Sequence, residues 1–505
     1  MAKLSKRLIL TFLALWSLTA TCGAQKLIEY TSGMGSRNPD NSDIWILYRG
    51  VTARHEGMTL KADSAHYNTH ENSFTAFGGV TITISDTTFI LGDHLFYDGN
   101  TRVADIWDDT VVLVDGSTRL LANHITYERN RATAYYTLWG HATSADRTLD
   151  SRQGEYNSDL KEFYIYGNVI LADSSMRLLT DTLIYNTTTE VAHFESPTHI
   201  YTDSTHIYSE LGDYNTATRF AASFRRSSVD NQGRTIDSDT LFYDEGKSYG
   251  KARGNVKIFD PENDITCTGL YGESNRQSNF SFVTKQALVT FVDKGDTLFL
   301  HADTVYVVTD DSNHLQSVRA SHKVKVYRRD AQAMCDSAYY SAPDSTLRLF
   351  QNPVLWYDHY QCTADTIELL HDTSGVRHAW LRSSCFALQQ VDREKFNQLK
   401  GRQGEVFFAD GEPLYADIKG NAEMVYYITE DDSTGTRLVG ANVGMGSDIR
   451  IYFDTTRAPS RVVTYDKPDL KTYPVMQLPA EWHRLKDFRW LATRRPRKPQ
   501  DVFVW

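Results

Sequence analysis

Beyond its first twenty residues the chain has no long apolar run, which leaves no candidate for a helical membrane span in the rest of the sequence. Proline is scarce, 12 in 505 residues, while tyrosine reaches 29, a balance that suits strands over helices or disorder. Cationic charge is in deficit: 53 Lys and Arg stand against 64 Asp and Glu, and the net charge is −11. A general nucleic-acid binder needs a basic face, so that class is disfavoured and no nucleic-acid partner is expected. Motifs for chemistry are missing as well. There is no Gly-x-Ser-x-Gly and no His-Glu-x-x-His, and Gly246-Lys247-Ser248 lacks the upstream glycine of a phosphate loop. The expectation is a protein that is not an enzyme and needs no cofactor or metal.

The first residues read as an export signal. Lys3, Lys6 and Arg7 form a charged start, Leu8 to Ala20 a mostly apolar run, and Cys22-Gly23-Ala24 small residues at a cleavage position. Residues 1–24 are therefore expected to be removed. Lipidation at Cys22 is the competing reading, but Thr19-Ala20-Thr21 fits an acceptor site poorly. The expected location is the periplasm, with association to the outer membrane left open. Four further cysteines, Cys267, Cys335, Cys362 and Cys385, permit disulfides in an exported chain. Cys362 and Cys385 flank Asp372-Thr373-Ser374-Gly375 symmetrically, and a simple hairpin there would bring them into disulfide range.

What the chain does have is a tyrosine that returns about every 29 residues. It stands at Tyr67, Tyr97, Tyr127, Tyr156, Tyr185, Tyr214, Tyr243 and Tyr271, and the register continues through Val307, Tyr340, Leu369 and Phe407. A fixed period of this size marks a stacked repeat, in which each unit packs on its neighbours. Four residues before the tyrosine comes a mostly polar column that includes Asp63, Asp93, Asp181 and Asp239. Apolar residues alternate on both sides of it, but the phase slips by one at the column. Period-2 alternation predicts strands, and a slip of one predicts a bulge or bend. Turn residues follow each tyrosine, as in Asn68-Thr69-His70 and Asp98-Gly99-Asn100. A second strand then carries Gly-X-Val, as in Gly78-Gly79-Val80, Gly167-Asn168-Val169 and Gly254-Asn255-Val256.

Each unit thus reads as two bent antiparallel strands. The predicted fold is all-β, an elongated stack of about 25 bent strands, on the order of 120 Å long, curled around an open apolar groove. The expected segments are 25–57 as an N-terminal half-unit, 58–429 as the repeats, 430–472 as final strands and 473–505 as a cap. That last segment contains Pro474, Pro479, Trp482, Trp490 and Trp505 and is locally basic, with Arg484, Lys486, Arg489 and Arg494 among its cations.

The unit apolar-x-small-Asp-x-apolar-x-Tyr-Asn, followed by Gly-Asn-Val, resembles the OstA-like (LptA-like) family of periplasmic lipopolysaccharide-transport proteins. Leu60-Lys61-Ala62-Asp63-Ser64-Ala65-His66-Tyr67-Asn68 with Gly79-Val80 carries the likeness, and Leu178 to Asn186 repeats it. The resemblance implies a β-jellyroll whose interior takes the acyl chains of lipopolysaccharide. It also implies partners of the same fold at the inner and outer membranes, and it raises head-to-tail self-association. The candidate groove residues are Leu60, Tyr67, Val80, Ile82, Leu91, Tyr97, Val169, Leu178, Tyr185, Val256 and Ile258. The tyrosines have a second reading as a core ladder. Asp63, Asp93, Asp181 and Asp239 are expected to be structural, accepting backbone N–H groups at the corner. Equivalent carboxylates lie two strands, about 9.6 Å, apart, too far for neighbouring units to share a calcium ion. A structural or adhesive repeat protein of the envelope is the alternative function.

Overall fold

The computed structural model describes residues 26–505 apart from 294–295, 373–374, 433–434 and 467. The expected export signal and Cys22 lie outside the described residues, as do Thr373 and Ser374. The backbone divides into two compact units, one ending at Ala192 and one beginning at His193. Each is nearly all strand, with every strand antiparallel to its neighbours, and the fold is a β-jellyroll.

Within each unit the chain follows the same path. A strand runs down one wall, bends at a corner and climbs the second wall. Some strands pass the corner unbroken, such as Ser73–Thr83 and Thr88–Asp98. Others are interrupted there, such as Met58–Ala62 and Ser64–Asn68 on either side of Asp63. The corners stack into a spine, and opposite the spine lies a mouth between two rims of turns. Wall A carries the column tyrosines and ends in the near rim. Wall B carries the residues after Gly-X-Val and ends in the far rim.

The corner has a definite backbone cause. Two consecutive residues take positive φ at Gly78 and Gly79 (78° and 52°), Gly167 and Asn168 (78° and 53°), and Gly254 and Asn255 (72° and 47°). Two left-handed residues in a row form a bulge that turns the strand, and Gly and Asn tolerate that conformation best. The pairing register shifts at these places, as between Phe77 and Val80. The aspartate corner sits beside the glycine corner: Asp63 N–H donates to Gly78 O at 2.9 Å and Asp239 N–H to Gly254 O at 2.9 Å. A Cβ on Gly78 would meet the Asp63 carboxylate at 2.7 Å. The near-rim turns follow from the residue after each tyrosine. Asn68 Oδ1 accepts from the N–H of His70 and Glu71, and Asn157, Asn186 and Asn215 repeat the pattern.

The ends differ from the expected half-unit and cap. Glu29–Arg37 and Ile44–His55 pair on both sides of a corner at Arg49 and Gly50, so they form a whole bent hairpin. Pro459–Tyr465 and Asp469–Pro474 close the other end against Gly435–Phe453. Residues 475–505 do not cover that last edge. They run back along the outer face of wall B, where Leu478 and Leu485 pack on Phe386, Leu388, Tyr427 and Val443, and Leu491 packs on Met334 and Trp356. The physical reason is two-sided burial. Lys325, Gln332, Gln361 and Gln398 point outward from wall B yet are at most 4% exposed. The segment is a strap over the wall.

Candidate functional site

Ten of the eleven candidate groove residues point inward and are at most 4% exposed. Leu91 is the exception. It is 37% exposed on the outer face, and Ile90 takes the inward position. The alternation before the corner is set by Thr88 and Ile90, so Leu91 lies on the opposite parity. The register of the tyrosine column is also corrected at two places. In Ile265–Asn275 the inward residues are Cys267, Gly272 and Ser274, so Ser274 occupies the column position and Tyr271 faces outward. In Phe396–Ala409 the outward Phe407 stacks on His378, while Phe408 faces the interior.

The corner aspartates Asp63, Asp93, Asp181 and Asp239 are exposed on the spine. Asp93 Oδ1 accepts the Gly79 N–H at 3.2 Å, and Asp239 accepts from the Asn255 side chain at 2.9 and 3.1 Å. Among the described residues no three His, Cys, Asp or Glu side chains gather in a way that could hold a metal.

Three of the column tyrosine hydroxyls reach across the mouth to the far rim, whereas Tyr67 OH turns to Asn72 of its own near-rim turn. Tyr97 OH is 2.7 Å from His55 Nδ1, Tyr156 OH donates to Asp115 Oδ2 at 2.7 Å, and Tyr243 OH accepts from Asn231 at 2.7 Å. Rim ion pairs join them: Arg102 with Glu56, Lys161 with Asp115 and Arg147 with Glu190. Thr202 with Glu245, and Arg276 with the Asn231 carbonyl, continue the series in the second unit. Apart from Tyr243 with Asn231, 12 residues apart, these cross-mouth contacts have sequence separations of 41 to 46 residues. Up to this point the walls meet through packed side chains, and the mouth is latched. Burial pushes the hydroxyl pKa of Tyr97, Tyr156 and Tyr243 above the ordinary tyrosine value, so all three stay protonated.

The arrangement changes in the second unit. There the column positions become Ser274, Val307, Tyr340, Leu369 and Phe408, so that only Tyr340 keeps a tyrosine hydroxyl, and Tyr340 lines the cavity. Between residues 291 and 462 the walls enclose a cavity of about 1200 Å³. Its lining is dominated by apolar side chains, among them Leu298, Val326, Leu355, Leu381, Leu399 and Val406. The volume exceeds the 300–1,000 Å³ typical of small-ligand sites. Two rim contacts here span more sequence. Tyr357 OH donates to Gly411 O at 3.0 Å and Tyr360 OH to Arg457 O at 3.3 Å, with separations of 54 and 97. Arg457 pairs with Glu412 at 2.7 Å, and Arg328 with Asp330 at 2.8 Å. The Arg457 guanidinium holds the Glu412 carboxyl below its ordinary pKa. Burial, with Arg328 nearby, pulls the His371 imidazole down and keeps it neutral at the cavity wall.

Cys362 and Cys385 both line this cavity and both are free thiols, so the expected hairpin disulfide is not formed. Ser383 and Ser384 take positive φ (61° and 52°), and the bulge they make shifts the register. Cys362 therefore lies opposite Ala387, two residues beyond Cys385. Burial pushes the Cys362 thiol up to about 12 and the Cys385 thiol higher still.

Sequence reasoning also missed two glutamines that hold the strap. Gln361 donates from Nε2 to Arg489 O at 2.7 Å and accepts the Leu491 N–H at 2.7 Å. Gln398 donates to His483 O at 3.0 Å and accepts the Leu485 N–H at 2.9 Å. Each amide thus pairs with the strap backbone as a strand neighbour would. A polar residue at an outward strand position gives no sequence signal that something will cover it.

Two overlapping segments, residues 27–176 and 164–239, match the family model described as OstA-like protein. Residues 27–239 are thus similar to the OstA-like family, which is associated with lipopolysaccharide transport in the periplasm. The match covers most of the latched layers; the cavity-lining residues from 291 onward lie beyond it. No curated protein matches the chain. Among the described residues no helix is long and apolar enough to cross a membrane.

Proposed function

We propose that this protein binds lipid acyl chains, those of lipopolysaccharide first, in the cavity between residues 291 and 462, as a step in lipopolysaccharide transfer to the outer membrane. The observation that carries the reading is where the cavity falls. It opens in the stretch where most of the column tyrosines give way to smaller or apolar residues, Ser274, Val307, Leu369 and Phe408, with Tyr340 alone retained at its wall. Burying a methylene contributes about 0.8 kcal/mol, so an apolar lining of this size can hold several acyl chains without any polar recognition. The chain is a binding component and not an enzyme. No nucleotide-binding motif occurs in it, so energy for directional transfer has to come from a partner at the inner membrane.

The latched layers have a different part in this reading. Val80, Ile82, Val169, Leu178, Val256 and Ile258 are packed against other side chains, so those layers act as a stiff scaffold. Partners of the same fold find free strand edges at Glu29–Arg37 and at Pro459–Tyr465 with Asp469–Pro474. Each of these strands pairs on one side only among the described residues. An unpaired edge accepts another strand by sheet extension.

Photo-crosslinking amino acids at Leu355 and Leu399, set beside the same probes at Val80 and Ile82, test the assignment in cells. Lipopolysaccharide should be trapped at the first pair and not at the second. Trapping at Val80 and Ile82 alone, or at none of the four, overturns it. Mass spectrometry of lipid released from the purified chain identifies the species.

A further inference from the structure

The strap carries a charge opposite to that of the chain it belongs to. Residues 475–505 hold seven Lys and Arg against Glu481, Asp487 and Asp501, in a protein of net charge −11. Two of the seven are engaged inward: Arg484 lies over Phe396 and Phe488, and Arg495 donates to Gln332 and to the Asp358 carbonyl. The other five, Lys486, Arg489, Arg494, Arg497 and Lys498, are exposed. None of their side chains has a carboxylate partner among the described salt bridges. Asp501 turns its carboxylate to the backbone N–H groups of Arg497 and Lys498, and Asp487 faces Lys400.

This face is built, not frayed. The Gln361 and Gln398 amides fix the strap backbone, and the buried Lys325 ammonium donates to the carbonyls of Arg494 and Val504. Leu478, Leu485 and Val502 anchor it beneath. Underside contacts therefore use the apolar side chains and backbone, and the cations are left on the outside. At the end of the strap the exposed Phe503, Val504 and Trp505 add apolar surface beside them. Trp505 Nε1–H donates to Lys323 O, which puts one more exposed cation, Lys323, next to that surface. A fixed row of cations ending in exposed aromatic side chains suits a layer of anionic headgroups over an apolar interior.

We propose that the outer face of the strap is a docking surface for an anionic membrane. It would hold the cavity-bearing unit against the lipid layer whatever ligand the cavity takes, so it stands apart from the acyl-chain reading.

Co-flotation of the purified chain with vesicles tests this. Vesicles of phosphatidylcholine alone are compared with vesicles that also contain phosphatidylglycerol. The wild type should float with the anionic vesicles only and be released as ionic strength rises. Each basic residue near such a surface contributes about fivefold to the binding constant. The triple variant Lys486→Gln, Arg489→Gln, Arg497→Gln should therefore bind about 100-fold more weakly. Those three side chains make no described contact with the wall, so the variant should keep the wild-type melting temperature, which is measured alongside. Equal flotation with neutral and anionic vesicles overturns the proposal, as does unchanged binding by the triple variant. Displacement by inorganic phosphate at constant ionic strength also overturns it, in favour of a small-anion site.

Discussion

The Tyr156 hydroxyl and the Asp115 carboxylate meet at 2.7 Å across the mouth of the first unit, and both are almost fully buried. Asp115 also accepts from Lys161 Nζ at 2.5 Å and from Thr88 Oγ1 at 3.0 Å. Tyr156→Phe removes one of three donors to a buried carboxylate. The expected loss is about 1–3 kcal/mol of stability, read by urea denaturation. A loss near zero would mean that solvent reaches Asp115 and that the latch contributes nothing to closure.

Packed layers and cavity layers should respond oppositely to changes of volume. Ile82→Ala opens a hole in a filled interior and should cost about 2–5 kcal/mol. Ala387→Phe projects into open space and should cost less than about 1 kcal/mol, because the overpacking penalty needs a filled site. The same Ala387→Phe change should reduce uptake of a fluorescent acyl probe. Equal destabilisation by the two substitutions would mean that the cavity closes in solution.

The glutamine amides make the strap's attachment testable. Gln361→Ala leaves the Leu491 N–H and the Arg489 carbonyl without their partner, a local cost of about 1–3 kcal/mol. Trypsin should then cut among Arg484, Arg489 and Arg494 well before it attacks the walls. Limited proteolysis followed by mass spectrometry reads the order of cleavage. Unchanged resistance would show that Leu478, Leu485 and Leu491 hold the strap by themselves.

Stability should also depend on pH through His193. Burial pulls its pKa down, but Asp213 at 2.6 Å and Glu195 at 3.4 Å outweigh that and leave it raised. A raised folded-state pKa stabilises the fold fully below the unfolded value, about 6.5, and the benefit is lost as pH rises through the folded value. Asp213→Asn should therefore lower the melting temperature more at about pH 6 than at about pH 9. A deficit that grows with pH would contradict the assignment.

Much of the fold was legible because the repeat carries its own causes. The slip of apolar phase at Asp63, the turn residue at Asn68 and the paired Gly78-Gly79 each have one physical meaning, and each recurs. Legibility failed where a residue of the right type sat one or more positions from its column. Tyr271 masked Ser274, Phe407 masked Phe408, and the symmetric spacing of Cys362 and Cys385 hid a bulge at two serines. Those bulges use Ser383-Ser384 and Lys285-Gln286 in place of glycine, so composition does not announce them. The groove was expected along the regular repeats. The structure puts open volume where the repeats become irregular, because a tyrosine long enough to span the interior also fills it.

The latches have one more consequence. All but Tyr243 with Asn231 join positions 41 to 46 residues apart, while the pattern repeats about every 29 residues. A contact that outreaches its own period survives the loss or gain of one whole period, because an equivalent partner arrives in the vacated place. Removal of half a period instead sets tyrosine against tyrosine and rim against corner. The chain's length is therefore adjustable only in steps of one layer, as a ruler is read only at its marks.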